Sequence, residues 1–385
     1  MNSIKRIVII GPAHPLRGGL ASFNQRMALA FQEKGYEVYI YSFSLQYPSF
    51  LFPGTTQYSS EPAPDNLKIV SSINSINPIS WLNTGLKIRR MKPDIVIFRY
   101  WLPFMAPALG SIARIIRGNK KTKVIALTDN VIPHEKRPGD VLLSRFFIKS
   151  CEGFISMSKS VLNQLKEFDK TKPRTYHAHP LYDNFGPAIS REEALKNLGL
   201  DSKYRYILFF GFIRGYKGLD ILLNAFASEN LRKFPLKLII AGEYYTDASP
   251  YELIIKEKGL NDHLEVHTHF IPDSSVVSYF CAADVVVQPY KNATQSGVTQ
   301  IAYHFDKPMI TTNVGGLSEL VPHGKAGYVC EPNSEEINQA IFDFFDQNKM
   351  NEFSANVKKE KVKFAWEHFI ESIEQLAEDI PGKKP

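Results

Sequence analysis

FFGFIRGYKGLDILLNAF, residues 209–226, decides how the chain is read. Residues 205–210 form an apolar and aromatic run that ends at Gly211, the pattern of a strand buried on both faces. Arg214 and Lys217 follow, three residues apart, and Gly218 lets the chain turn in closely. Leu219, Leu222, Leu223 and Phe226 then recur at helical spacing. Two cations therefore stand between the carboxyl end of a strand and the amino end of a helix. Open α/β sheets bind ligands at that place, and the N–H groups and dipole of a helix start favour an anion. The stretch reads as a clamp for a phosphate or diphosphate; the alternative is a solvated basic turn.

At 385 residues the chain is long enough for two domains of ordinary size, and 44% apolar with 22% charged residues describes a globular protein. No apolar run reaches the roughly 18 residues of a membrane span. The first apolar run, residues 7–10, is too short for a signal peptide and reads as a first strand. Cys151, Cys281 and Cys330 lie far apart with no C-x-x-C pair, which argues against a disulfide framework or a zinc site and fits a reducing cytosol. The expected location is cytoplasmic, with peripheral attachment at the inner face of a membrane as an option.

The net charge of +7 is uneven: residues 1–190 hold 25 Lys+Arg against 12 Asp+Glu, and the remainder 21 against 27, or +13 and −6. The basic half fits an anionic partner: a membrane surface, a phosphorylated lipid carrier or an acidic glycan. No nucleic-acid-binding motif accompanies the charge, so nucleic acid is not expected as a partner.

Along the first half, strand 6–10, helix 20–32 and strand 38–43 make a βαβ unit. Its loop, Gly11-x6-Gly18-Gly19, is not the dinucleotide fingerprint, so no NAD site is expected. Gly18 and Gly19 open the helix either as a plain turn or as a place where backbone approaches a bound group. Residues 46–78 are rich in Pro, Ser and Asn and read as an irregular excursion. A strand at 95–98 leads into a helix that ends among Arg114, Arg117, Lys120, Lys121 and Lys123, near the basic run Lys87, Arg89, Arg90 and Lys92. These cations suit a helix C-terminus or an anionic lipid surface. Strand 124–127 delivers Asp129, Asn130 and His134 to its carboxyl end. Strand 154–157 precedes a helix with Ser158 as N-cap. His177 and His179 alternate on an extended segment without a third metal ligand and read as a strand-end pair.

In the second half, strands and helices alternate through residues 205–346, which implies a second parallel, doubly wound sheet. Within residues 289–321, Gln295, Ser296, Gly297 and Val298 open a helix at the end of a strand, again presenting free N–H groups. Ser334 is read as the N-cap of a later helix, and residues from 363 onward as a long amphipathic helix.

The segment GFIRGYKGLDILLNAF and the block VGGLSE, residues 314–319, resemble the G-x-x-x-x-x-K-G and V-G-G-x-x-E segments of retaining glycosyltransferases of the family 4 type, the group 1 glycosyltransferases. The resemblance implies an α/β chain of GT-B architecture: two Rossmann-like doubly wound domains facing across a cleft, with the C-terminal helix crossing back to the first. It divides the chain into an acceptor-side domain, 1–185, a nucleotide-sugar domain, 186–362, and the returning helix and tail, 363–385. It implies a hexosyl transfer, with retention, from a UDP- or GDP-sugar to a hydroxyl of a glycan or lipid-linked acceptor, as in polysaccharide biosynthesis, with no metal. By that resemblance Arg214 and Lys217 neutralise the leaving diphosphate. Gly18, Gly19, Gln295, Ser296, Gly297, Val298 and Glu319 hold the donor, Asp129 stands with Arg214 and Lys217 among the catalytic residues and lines the sugar pocket, and Asn130 and His134 lie on the acceptor side.

One departure stands out. The family's paired glutamates, E-x7-E, fall on Ala293 and Ile301, and neither is acidic. Donor contacts rebuilt around Gln295 and Ser296 are one outcome. A catalytically impaired sugar-nucleotide-binding subunit and a GT-B sugar-nucleotide epimerase are the alternatives.

Overall fold

A computed structural model describes residues 6–48, 56–59, 61–132, 137–293 and 295–382. The chain divides into two compact units, one holding the residues up to Pro180 together with those from Phe364 onward, the other Leu181–Lys363.

In the first unit the elements run β1 (Arg6–Ile10), α1 (Gly19–Glu33), β2 (Glu37–Leu45), β3 (Lys68–Asn74), α2 (Pro78–Met91), β4 (Ile95–Tyr100), α3 (Ala106–Arg117), β5 (Lys123–Thr128), α4 (Asp140–Ser150), β6 (Gly153–Ser156), α5 (Lys159–Phe168) and β7 (Arg174–Tyr176). All seven strands are parallel, in the order β3-β2-β1-β4-β5-β6-β7. The chain works outward from β1 in one direction and from β4 in the other. The loops after these two strands therefore flank the switch point of the sheet.

The second unit runs α6 (Arg191–Leu198), β8 (Arg205–Phe210), α7 (Leu219–Phe226), β9 (Leu236–Ala241), α8 (Ser249–Glu257), β10 (Leu264–His267), α9 (Asp273–Ala282), β11 (Val285–Gln288), α10 (Gly297–His304), β12 (Met309–Thr312), β13 (Gly327–Cys330), α11 (Ser334–Asp346) and α12 (Met350–Glu360). Its six strands are also parallel, in the order β10-β9-β8-β11-β12-β13. Here the switch point lies between β8 and β11. Ile207, Phe209, Leu238, Ile240, Val285, Val287 and Ile310 pack with Leu222, Phe226 and Ile337 on one face of this sheet.

The last helix, α13 (Trp366–Asp379), belongs to the first unit. Trp366 and Phe369 meet Phe23 of α1 with ring centroids 5.0 and 5.8 Å apart. Gly153 in β6 leaves room for Ile380 and Leu376, since a Cβ there would lie 3.0 and 3.4 Å from them. The helix starts at Trp366, three residues later than its apolar spacing suggests, because a 3-10 turn occupies Lys361–Phe364.

The pair His177 and His179 sits against this seam. His179 is buried edge-on to Phe23, and its Nδ1–H donates to the Pro180 carbonyl at 2.6 Å. Burial pushes its imidazole down to about 3, and the nearby Arg99 charge acts in the same direction. His177, against Phe369, is likewise lowered by burial. The unfolded chain takes up protons near pH 6.5 that these folded rings refuse. The stability that His179 contributes is thus complete above that pH and is lost as pH falls toward about 3. We expect His179 to lower urea stability by up to about 1.4 kcal/mol per pH unit between pH 6.5 and 5. His179→Gln flattens that slope, and an unchanged slope in the variant refutes the assignment.

Several local expectations are corrected. Residues 46–78 are not wholly irregular: they contain β3, an edge strand of mixed polar and apolar residues in which Ile73 alone is fully buried, so that no apolar run marks it. Ser158 is the N-cap of α5 as expected, but its hydroxyl meets Ser160 Oγ at 2.8 Å and makes no side-chain cap. The cap of α11 is Asn333, whose side chain accepts from Glu336 N at 2.8 Å; Ser334 is the first helical residue.

Candidate functional site

The loops after β8 and β11 meet at the switch point of the second unit. Gly218 takes φ 69, in the left-handed region, and a Cβ there would lie 1.9 Å from the Pro289 carbonyl oxygen. Only glycine allows that approach. Lys291 N donates to the Tyr216 carbonyl at 2.7 Å, and Lys291 Nζ pairs with Asp220 at 2.7 Å, closing the two loops onto each other. Gly211 and Gly218 thus perform the packing expected of them.

Lys217 is carried inward by this turn. It is 9% exposed, with Nζ 5.2 Å from the centre of the Tyr290 ring. A Cβ on Gly211 would lie 2.9 Å from Lys217 Nζ and 3.7 Å from Val298 Cγ2. The ammonium therefore stands beside Gly211 and Val298, within the first turn of α10. Burial lowers its pKa; the Tyr216 side chain opposes that shift and the Arg214 charge adds to it. Among the described residues no carboxylate pairs with Lys217 or with Arg214. Arg214 is exposed, its guanidinium 5.0 Å from the Tyr245 ring, which itself stacks on Phe212 at 4.2 Å.

α10 begins at Gly297 with Ser296 as its N-cap, in extended backbone. The Ser296 hydroxyl makes no cap hydrogen bond; it lies 3.3 Å from Tyr290 OH. The N–H groups of the first turn are thus left to another acceptor. Gly297 packs against Tyr182, where a Cβ would come within 2.6 Å of the ring. Gln295 is half-buried just before the cap. Glu319 is exposed on the turn after β12, the neighbour of β11 in the sheet. The structure thus brings together Lys217, Val298 and Ser296, through Tyr290, a residue that the sequence did not single out.

The positions of the family's glutamates are built apolar. Ala293 packs with Tyr290, Leu317 and Val314, and Ile301 is buried in α10. Buried polar groups lie nearby instead. Thr299 Oγ1 donates to Gln288 Oε1 at 2.9 Å, and the fully buried Gln300 amide has no hydrogen-bond partner.

In the first unit, Asp129 follows β5 and both its oxygens are taken. Arg99, from β4, donates Nε to Oδ2 at 2.5 Å and Nη2 to Oδ1 at 2.6 Å. Arg99 is 2% exposed, and its guanidinium lies 4.2 Å from the Phe23 ring. A buried guanidinium thus holds, in bidentate fashion, the carboxylate expected among the catalytic residues. Asn130, next to it, is half-buried. His134 lies outside the described residues. Gly18 caps α1 with φ 99, and Gly19 is the first helical residue; Gly11 fits between Asn24 and Arg99, where a Cβ would lie 2.6 and 2.9 Å from their atoms. Arg99 and Phe23 were missed in the sequence because a charged or aromatic residue inside a strand or helix carries no mark of its partner.

Among the described residues no three His, Cys, Asp or Glu side chains gather as a metal site, and no helix is long and apolar enough to cross a membrane.

Two parallel-sheet Rossmann-like units of this topology are the GT-B class of fold. Residues 190–360 match the family described as glycosyl transferases group 1. The chain is similar along 97% of its length to the sucrose-phosphate synthase of Thermosynechococcus elongatus, covering 98% of that chain, with a TM-score of 0.72 at 15% identity. It is also similar to the Anabaena protein HepE in complex with UDP and glucose, with a TM-score of 0.71, 15% identity, and 96% and 98% of the two chains covered. An uncharacterised glycosyltransferase of Methanocaldococcus jannaschii is 27% identical over 242 residues, 61% of this chain and 63% of its own length. The chain spans about half to two thirds of the curated relatives that it matches.

Proposed function

We propose that this protein transfers a hexosyl group, with retention, from a nucleoside diphosphate sugar to a hydroxyl of a glycan or lipid-linked acceptor. The observation that carries the reading is the Lys217 ammonium, buried at a sheet switch point with no carboxylate partner. An unpaired buried cation is costly unless an anion completes it. The family match over the second unit and the UDP bound by HepE support a diphosphate as that anion.

In this reading Lys217 and Arg214 neutralise charge on the departing diphosphate, and the N–H groups at Ser296, Gly297 and Val298 bind its oxygens. The bond from the anomeric carbon to the diphosphate breaks, the acceptor oxygen bonds to the same face, and the acceptor proton leaves with the diphosphate. Gln295, Ser296 and Glu319 orient the sugar. Their amide, hydroxyl and carboxylate groups serve where the family's paired glutamates are replaced by Ala293 and Ile301. From the first unit, Gly18 and Gly19 are assigned to the donor and Asn130 and His134 to the acceptor side, and the carboxylate of Asp129 is held by Arg99.

The test is a panel of UDP- and GDP-sugars offered to the full chain with hydroxyl acceptors. Nucleotide release is measured, and the product's anomeric configuration is read by NMR. Release of one nucleotide with an unchanged anomer is expected. Binding without turnover under any acceptor, or product formed without acceptor, overturns the proposal.

A further inference from the structure

The helices α2, α3 and α4 lie side by side: Gly85 of α2 packs on Ile115 of α3, and Gly110 of α3 on Phe146 of α4. Their charge is one-sided. α2 carries Lys87, Arg89 and Arg90, α3 carries Arg114 and Arg117, α4 carries Arg145 and Lys149, and the three helices hold one carboxylate, Asp140.

Part of this charge serves the helices themselves. Arg89 donates to the Gly118 carbonyl at 3.1 Å and Arg114 to the Phe146 carbonyl at 3.3 Å, while Arg117 pairs with Glu152 at 3.4 Å. Nearby Lys121 pairs with Asp94 at 3.2 Å, and Lys123 donates to the Ala377 carbonyl. These five cations are therefore held by carbonyls or carboxylates of the first unit itself. Lys87, Arg90, Arg145 and Lys149 are exposed on the helix surfaces, with Lys87 Nζ 5.9 Å from the Tyr41 ring.

The same layer exposes apolar side chains at its other end. α2 and α4 both begin after the carboxyl ends of strands, so their first turns lie at one edge of the sheet. Ile79 and Leu142, in these turns, are 68% and 69% exposed, and Leu82 and Val141 beside them are about half exposed. Trp101 and Phe104, before α3 at the same edge, are only partly buried. Large side chains this open are unusual in a folded monomer when they gather at one edge. An edge of exposed Ile, Leu and Val followed by exposed cations is the pattern of an interfacial surface. The apolar tips enter the headgroup boundary while the cations stay at the level of the phosphates.

We propose that the outer face of α2, α3 and α4 docks this protein on an anionic lipid membrane, with Ile79, Leu82, Val141 and Leu142 inserted and Lys87, Arg90, Arg145 and Lys149 at the headgroups. Nucleic acid would meet the same cations but gains nothing from the apolar edge. This assignment does not depend on the transferase reading, and its test involves no donor sugar.

The full chain is sedimented with vesicles of phosphatidylcholine alone and of a three-to-one mixture with phosphatidylglycerol. Binding to the mixed vesicles only, weakened by salt, is expected. Each cation near the surface contributes about fivefold, so Lys87→Glu with Arg90→Glu lowers the partition at least about 25-fold. Ile79→Ser with Leu142→Ser lowers it about tenfold or more while leaving the melting temperature unchanged, because both side chains are exposed. Absence of wild-type binding overturns the proposal, as does equal binding by both double variants. Tighter binding to a nucleic-acid duplex that the serine variant keeps, or a dimer that it abolishes, also overturns it.

Discussion

Replacing Lys217 by methionine is expected to lower kcat/KM for the sugar nucleotide by about 10² to 10³, the size of effect found when one charge-stabilising donor is removed from an active site. The same substitution should raise the melting temperature of the ligand-free protein. Burial holds the Lys217 pKa below its ordinary value, which means that the fold disfavours the charged form at neutral pH. Methionine fills the volume beside Tyr290 and Gly211 without that cost. Activity and stability then move in opposite directions, as they do where a site keeps a strained group for function. Kinetics with a thermal melt on one preparation checks both. A variant that loses stability and activity together would show Lys217 to be a packing residue.

The second large effect is in the first unit. Arg99→Met should cost about 3–5 kcal/mol of stability, because it removes the buried bidentate partner of the Asp129 carboxylate. The double variant Arg99→Met with Asp129→Leu should recover much of that loss, since it removes both members of the pair together. Urea denaturation of the wild type, both single variants and the double variant measures the coupling. Additive losses would contradict the pairing.

How much was legible beforehand follows from where each residue sits. The central strands β1, β4, β5 and β8 are buried on both faces through their middles, and so residues 7–10, 95–98, 124–127 and 206–210 appear in the sequence as apolar runs. The turn through Gly211, Arg214, Lys217 and Gly218 was readable because its glycines are demanded by backbone: a left-handed φ at both, and the Pro289 carbonyl pressed against Gly218. β3 was not readable, since this edge strand buries only Ile73 fully and so carries no apolar signature. The cap of α11 slipped by one residue because Asn333 and Ser334 are both good capping types, and only the hydrogen bond to Glu336 N decides between them.

The site was legible in its charge but not in its partners. Arg99 and Asp129 are thirty positions apart and meet because β4 and β5 are neighbours in the sheet. Nothing local to Asp129 marks it as one half of an ion pair, so a carboxylate at a strand end looked available when it is held. Tyr290 was hidden for a similar reason: it joins Lys217 to Ser296 only after the two loops close on Lys291 and Asp220.

The central claim is that Lys217 is kept buried and unpaired for the diphosphate of a nucleotide. It is tested most directly by titrating the Lys217 ammonium by NMR, in protein labelled with 13C at the lysine ε-carbons, with and without UDP; Lys217→Met assigns the signal. The account predicts a pKa below the ordinary lysine value in the free protein and a rise when UDP binds, as the anion restores the partner that burial took away. A pKa indifferent to saturating UDP would contradict it.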